Sequence, residues 1–214
     1  MTERVPTIHI VDDDETTRHY FRVLVAGEGY PCRLIDSAQA FLDIYDPAQP
    51  GCLLLDVQLP GMSGTELQNR LNQLGAVIPV VFITGHANVA LAVQAMKAGA
   101  FGFLEKPVTR EALLTQVRSA LQHDAEIREA LRRREQMVQR FETLTPRERE
   151  VLARVVAGSS NKLMATDLNL SQRTVELYRA RIMEKTGSKS LAQLVRMTID
   201  LGMVPGGAPE SGPH

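Results

Sequence analysis

Five short apolar runs, each closed by a polar or Gly/Pro-containing turn and followed by a stretch with helical spacing, occupy the first 122 residues of this 214-residue chain. The runs lie near 7–11, 31–35, 51–55, 79–83 and 101–104. The helical stretches lie near 15–28, 37–46, 64–74, 87–98 and from 109 onward. Strand–helix alternation of this kind argues for an α/β fold, a doubly wound five-stranded parallel sheet covered by helices on both faces. Four of the runs end in reactive side chains. The first leads into Asp12-Asp13-Asp14, the third into Asp56, the fourth into Thr84-Gly85 and the fifth into Glu105-Lys106-Pro107. In an open parallel sheet the carboxyl ends of the strands are where ligands bind.

Composition excludes some alternatives. Hydrophobic content of 44% and charged content of 23% are those of an ordinary globular chain. No apolar stretch approaches a membrane span and no secretory leader opens the chain. Cys32 and Cys52 each stand in an apolar run and read as reduced, buried thiols, as expected in the cytoplasm. Charge is unevenly spread. Residues 1–142 hold 14 Lys+Arg against 18 Asp+Glu, and residues 143–214 hold 10 against 7. The basic excess permits a nucleic-acid face at the C-terminal end.

The fifth helical stretch runs on without Gly or Pro from Thr109 to about Phe141. One continuous helix there would span ~50 Å. Its apolar positions, Leu114, Val117, Leu121, Ile127, Leu131, Val138 and Phe141, keep helical spacing but break around His123 and Asp124. One helix or two in tandem, acting as a solvated spacer or as a short coiled-coil contact, fits that pattern. Arg132-Arg133-Arg134 reads as a solvated face. Past Glu142 the pattern is all helical. Thr145-Pro146-Arg147-Glu148 combines an N-cap, Pro at the first helical position and a capping-box Glu. A short helix is expected at 161–167, then a tight turn, then a helix capped by Ser171 and running to about Lys185. Ser190-Leu191-Ala192-Gln193 opens a last helix to Leu201. The expected organisation is an α/β domain at 1–122, a helical linker at 123–142, a four-helix domain at 143–204 and a disordered tail at 205–214.

Asp12, Asp13 and Asp56 gathered on one sheet edge repel one another unless a cation joins them. An all-oxygen ligand set suits Mg²⁺. Asp56 then has the character of a nucleophile toward a phosphoryl group, with Lys106 and the Thr84 hydroxyl covering further oxygens and Gly85 leaving the approach open. Any one of these residues alone is more often a cap or a surface charge; it is their order at successive strand ends that carries the reading.

The strings Ile10-Val11-Asp12-Asp13-Asp14, Leu54-Leu55-Asp56-Val57-Gln58-Leu59-Pro60-Gly61-Met62-Ser63-Gly64, Val81-Phe82-Ile83-Thr84-Gly85-His86 and Glu105-Lys106-Pro107 resemble the flavodoxin-like receiver domain of two-component response regulators over residues 5–122. Thr84-Gly85-His86 and Ala95-Met96-Lys97-Ala98-Gly99-Ala100 look most like the FixJ-like branch. The resemblance implies that Asp56 accepts phosphate from a histidine kinase. It further implies that Asp13, Asp56 and the Gln58 carbonyl bind Mg²⁺ directly, with Asp12 acting through water. Lys106-Pro107 resembles the family's cis peptide. Thr84 and Phe103 would form the switch that biases a dimerisation face on the fourth helix and fifth strand; plain core packing is the other reading of Phe103. Two departures fall on that face: Gly102 stands where the branch usually has Asp, and Ala87-Asn88-Val89-Ala90 replaces the usual opening of the fourth helix.

Leu144-Thr145-Pro146-Arg147-Glu148-Arg149-Glu150-Val151-Leu152, Gly158, Asn161-Lys162, Ala165, Leu168, Ser171, Arg173-Thr174-Val175-Glu176 and Lys185 resemble the LuxR-type helix-turn-helix over about 142–204. The resemblance implies a recognition helix at about 171–185. Helical spacing turns Gln172, Arg173, Glu176, Leu177 and Ala180 toward a DNA groove, and Asn161, Lys162, Thr174, Arg179 and Arg181 suit the phosphate backbone. Val175, Ile182, Leu163 and Leu168 are expected in the core. Tyr178, where the family often has His, packs on the scaffold or touches DNA. The last helix, with Leu194, Val195, Thr198 and Leu201, suits the domain core or the pairing of two domains on DNA.

The chain therefore reads as a cytoplasmic, phosphorylation-controlled transcription factor rather than an enzyme. Its expected partners are a histidine kinase, double-stranded DNA, a second copy of itself and RNA polymerase. The alternative is a regulator that acts by protein contact without specific DNA binding. A rigid linker would make dimerisation the control step.

Overall fold

A computed structural model of the chain describes residues 4–85 and 89–203. His86, the Ala87-Asn88 departure and the expected tail at 205–214 lie outside the described residues. The chain divides into two compact units, Met1–Glu129 and Ala130–His214.

In the first unit, β1 (Thr7–Val11), β2 (Cys32–Ile35), β3 (Gly51–Asp56), β4 (Val80–Thr84) and β5 (Gly102–Glu105) form one sheet in the order β2-β1-β3-β4-β5. Every pairing is parallel. The connecting helices are α1 (Glu15–Val25), α2 (Ala38–Ile44), α3 (Gly64–Gln73) and α4 (Val89–Lys97), and α5 (Arg110–Glu142) follows β5. The two-residue period of a strand sorts the apolar side chains onto two faces. Val11, Leu53, Leu55 and Phe82 pack with Phe41 of α2 and Leu67 and Leu71 of α3. Ile8, Ile10, Leu54, Val81 and Ile83 pack with Phe21 and Val25 of α1 and with Leu113, Val117 and Leu121 of α5. Because both faces are covered, the strands read as unbroken apolar runs.

The helix starts are closed as their sequences ask. Ser63 and Glu66 form a reciprocal capping box on α3, Ser37 caps α2, and the Thr109 hydroxyl accepts from the Ala112 amide at the start of α5. Helix α1 ends earlier than its apolar pattern suggested: a 3-10 turn, Ala26–Glu28, and Gly29 at φ 76° finish it. The two cysteines are free thiols on the strands either side of β1, each paired in register with Ile8.

Helix α5 is one unbroken element of 33 residues. In the second unit its C-terminal turns join α6 (Pro146–Val156), α7 (Asn161–Asp167), α8 (Gln172–Thr186) and α9 (Leu191–Asp200) around Phe141, Leu152, Met164, Val175, Ile182 and Leu194. The α7–α8 turn passes through Asn169 at φ 52°, a left-handed conformation that Asn tolerates. Two expectations are corrected. Leu163 is not core: it is 51% exposed, because α7 spans only two turns and turns Met164 and Ala165 inward instead. The Ser190 box is incomplete. Ser190 accepts from the Gln193 amide, but the Gln193 carboxamide reaches back to the Lys189 amide. On α9, Leu194, Met197 and Thr198 are buried within the unit, while Leu191 and Ile199 stay exposed.

Candidate functional site

Strand order reverses at β1, so the crevice at the carboxyl ends of β1 and β3 is the topological switch point of the sheet. Asp12 follows β1 and Asp56 ends β3, which brings residues far apart in sequence to that crevice. Asp12, Asp13 and Asp56 each place a carboxylate oxygen within 4.8 Å of the others. Asp12 and Asp56 are buried and Asp13 is exposed.

Lys106, just past β5, donates to Asp12 Oδ2 at 2.7 Å and to Asp56 Oδ2 at 2.9 Å. The second oxygens are also engaged: the Asp14 amide donates to Asp12 Oδ1 at 2.9 Å and the Gln58 amide to Asp56 Oδ1 at 3.2 Å. Burial holds the Asp12 carboxyl above its ordinary value, and the Lys106 and Asp14 hydrogen bonds do not fully offset it. Burial alone would lower Lys106; its bonds to Asp12 and Asp56 reverse that, and its ammonium is held above its ordinary value. Three converging carboxylates against one ammonium leave an excess of negative charge. An all-oxygen set of this kind fits a hard divalent cation such as Mg²⁺.

Thr84 ends β4 in buried surroundings, and its carbonyl accepts from the Lys106 amide at 2.8 Å, so the backbone of Lys106 is fixed beside the crevice. The Lys106-Pro107 peptide is cis. Among the described residues, a side chain added at Gly85 would meet nothing within 4 Å. Phe103 is half-buried against the α2–α3 core, its ring 6.4 Å from that of Phe82. At Gly102 an added Cβ would come within 2.4 Å of Gln116 Oε1: the α5 glutamine fills the space an Asp side chain would need.

Two contributors escaped the sequence reading. Arg18, in the second turn of α1, donates to the Asp12 carbonyl at 2.6 Å and holds the β1–α1 junction. Gly64 lets α3 start against β3, since a Cβ there would sit 2.1 Å from the Asp56 carbonyl. The signal for Gly64 was its place in the Ser63 box; for Arg18 there was only a lone cation after an acidic run.

In the second unit, α8 presents Gln172, Arg173, Glu176, Leu177, Ala180 and Arg181 to solvent, with Val175 and Ile182 buried behind them. Leu177 is 55% exposed. Lys162 on α7 is exposed too. Three residues expected at the phosphate backbone are already engaged within the unit: Arg179 donates to Asn161 Oδ1, and the Thr174 hydroxyl shares a 2.8 Å bond with that of Ser171. Tyr178 packs against the core and belongs to the scaffold. Lys185 donates to the buried Glu148 at 2.7 Å and to the Thr143 carbonyl at 3.2 Å. It anchors the far end of α8 to the start of α6. Arg147 donates to the Leu168 carbonyl and fastens the turn between α7 and α8.

Residues 8–118 match the family described as response regulator receiver domain, and residues 142–198 match that described as bacterial regulatory proteins, luxR family. The transcriptional regulatory protein FixJ of Azorhizobium caulinodans is 43% identical over 205 residues, covering 96% of this chain and 97% of that protein. Among solved structures, the response regulator StyR superposes with a TM-score of 0.82 at 42% identity, covering 92% of this chain and 99% of that one. Full-length FixJ from B. japonicum gives 0.57 at 38% identity, covering 94% of this chain and all, 100%, of that one.

Proposed function

This chain belongs to the FixJ-like two-component response regulators, a receiver domain followed by a LuxR-family DNA-binding domain, and from that premise we propose how its own residues carry the regulation. Asp56 is the phosphoryl acceptor. Its carboxylate oxygen attacks phosphorus on a kinase phosphohistidine; the O–P bond forms as the P–N bond breaks, and the imidazole leaves with the electron pair and takes up a proton. Lys106, already within hydrogen-bond reach of Asp56, neutralises charge on one transferred oxygen, and the Thr84 hydroxyl holds another. Asp13, Asp56 and the Gln58 carbonyl would hold Mg²⁺ directly, with Asp12 acting through water. When bound, the ion would supply charge neutralisation at the phosphoryl oxygens. The chain catalyses only its own phosphorylation and the hydrolysis of its own acyl phosphate.

Phosphorylation shifts Thr84 and Phe103 and favours dimerisation of the receiver. Two helix-turn-helix domains then read double-stranded DNA. Gln172, Arg173, Glu176, Leu177 and Ala180 face base edges, while Asn161, Lys162, Thr174, Arg179 and Arg181 lie along phosphates. RNA polymerase is the downstream partner and the cytoplasm the compartment. Among the described residues no helix is long and apolar enough to cross a membrane. The observation that carries this reading is the meeting of three carboxylates and one lysine at the switch point of the sheet.

The test is operator binding and sedimentation of wild type and Asp56→Asn, each with and without acetyl phosphate and Mg²⁺. Wild type should gain DNA affinity and mass on phosphorylation, and Asp56→Asn should gain neither. Equal gains in both proteins would sink the assignment.

A further inference from the structure

Helix α5 remains attached to the receiver beyond the end of its buried apolar face. Its last buried apolar residue in that core is Leu121. Past it stands Asp124, a carboxylate only 1% exposed. Asp124 Oδ2 accepts from the Gly51 amide, the first of β3, at 3.0 Å. One turn on, Arg128 Nε donates to both Asp124 oxygens, at 2.8 and 2.9 Å. The same guanidinium donates to the Pro47 carbonyl at 2.7 Å and the Gln49 carbonyl at 2.9 Å, both in the loop entering β3. Gln49 in turn donates to the Val5 carbonyl at 2.8 Å and the Thr7 hydroxyl at 3.1 Å, so the loop is tied to β1. Gly51 completes the arrangement, since a Cβ there would lie 2.0 Å from the Thr7 carbonyl.

A buried ion pair is a poor device for stability alone, because desolvation offsets most of its attraction. What it supplies is geometry: a planar guanidinium with four acceptors admits one orientation, whereas apolar packing tolerates sliding. The strand whose first amide Asp124 holds is the strand that ends at Asp56. The helix it grips is the one that continues unbroken into the second unit.

We propose that Asp124 and Arg128 are positioning residues that root the interdomain helix on the amino end of β3, so that the state of Asp56 at the other end of the strand governs DNA binding. The proposal rests on the reading of Asp56 and α8 given above. A helix free to rotate at its base would transmit no defined change, however well Asp56 were phosphorylated.

The experiment uses the full chain as Arg128→Met, Arg128→Lys and Asp124→Asn, with wild type as reference. Three quantities are measured: phosphoryl incorporation from acetyl phosphate, the ratio of operator affinities with and without phosphorylation, and amide exchange over residues 122–129. Arg128→Met should incorporate phosphate within about twofold of wild type while the affinity ratio collapses at least about fivefold, the lower end of a typical coupling. Amides over 122–129 should exchange at least about tenfold faster. Arg128→Lys keeps the charge but not the fork and should fall between. If Arg128→Met does not fold, Asp124→Asn, which keeps an acceptor for Gly51, carries the same expectation. Faster exchange with an unchanged affinity ratio overturns the proposal, and so does unchanged exchange. A wild-type chain whose DNA affinity ignores phosphorylation overturns the premise and the proposal together, and is distinguished by the reference arm alone.

Discussion

Each unit of this protein buries carboxylate against lysine, and the two arrangements differ in what they leave unsatisfied. At the edge of the sheet, Lys106 is shared between Asp12 and Asp56, with Asp13 close by. Burial keeps Asp12 above its ordinary value, so negative charge there is held under stress. In the helical unit, Lys185 pairs with one carboxylate, Glu148, and also donates to the Thr143 carbonyl, while Glu148 accepts from the Thr145 amide as well. The Lys185 ammonium holds Glu148 below the usual carboxylate range, against the opposing effect of burial, with Thr145 assisting. The first cluster keeps an excess of negative charge, with Asp13 open to solvent. The second is closed and serves only to hold α8 in place. Buried charge thus marks chemistry when it is over-supplied with one sign, and architecture when it balances.

The largest effect should come from breaking the strained cluster at its nucleophile. Asp56→Asn should lose acetyl-phosphate-dependent phosphorylation by more than about 10²-fold, and Lys106→Met should slow it by about 10²-fold, as when one preorganised donor is removed. Gel-shift detection of the phosphoprotein measures both. The same substitutions should leave the fold intact. Asp12→Asn relieves like-charge repulsion and should change receiver stability by less than about 1 kcal/mol. Glu148→Ala should do the reverse. It strands Lys185 and removes a capping box, and should destabilise the helical unit by ~3 kcal/mol in urea denaturation. If Glu148→Ala proves neutral while Asp12→Asn unfolds the receiver, the contrast is backwards.

Acid should separate the units next. Burial first, and the neighbouring Arg33 charge second, lower the His9 imidazole to about 4. Its folded value lies below the unfolded one, so the native state keeps it neutral while the unfolded chain takes up a proton. Stability from this group is therefore full above about pH 6.5 and declines toward pH 4, by at most ~3 kcal/mol. Glu148 is the opposite case. Its folded value is depressed, so its contribution persists above the ordinary carboxylate range, near 4.3, and fades only as pH falls below that. Hydrogen exchange resolved by unit should show the receiver weakening first between about pH 6.5 and 4.5. His9→Phe should flatten that decline; an unchanged slope would remove His9 from the account.

Smaller effects are expected on the DNA face. Arg173→Ala should weaken operator binding by about tenfold or more and relax specificity at one base pair. Leu177→Ala should weaken it by about fivefold, and the loss should shrink on DNA with uracil in place of thymine, because the lost contact is to a methyl group. Fluorescence anisotropy at fixed salt reads both.

Much of the cluster at the sheet edge was legible because its parts sit at strand ends, where apolar periodicity stops at a polar residue: the positions of Asp12, Asp56, Thr84 and Lys106 could each be read from a few neighbours. Capping boxes at Ser63 and Thr145 were legible for the same reason, being closed within four residues. Arg18 was not, because its partner is a backbone carbonyl that no residue type announces. Leu163 was misread because a helix of two turns has too few positions for periodicity to say which face is inward.

What the amino-acid order determined by itself is every feature settled by local forces: the strand and helix alternation, the caps, the polar groups at strand ends and the exposed face of α8 with its buried back. What only the tertiary structure decided is every pairing across long separation. Lys106 reaches Asp12 over 94 residues, Lys185 reaches Glu148 over 37, and Asp124 reaches the Gly51 amide over 73. The reason is physical. Periodicity and capping are carried by neighbours a turn or a strand away, whereas a buried charge takes its partner from whatever the packed elements bring within hydrogen-bond reach, and that choice exists only once the chain has closed on itself.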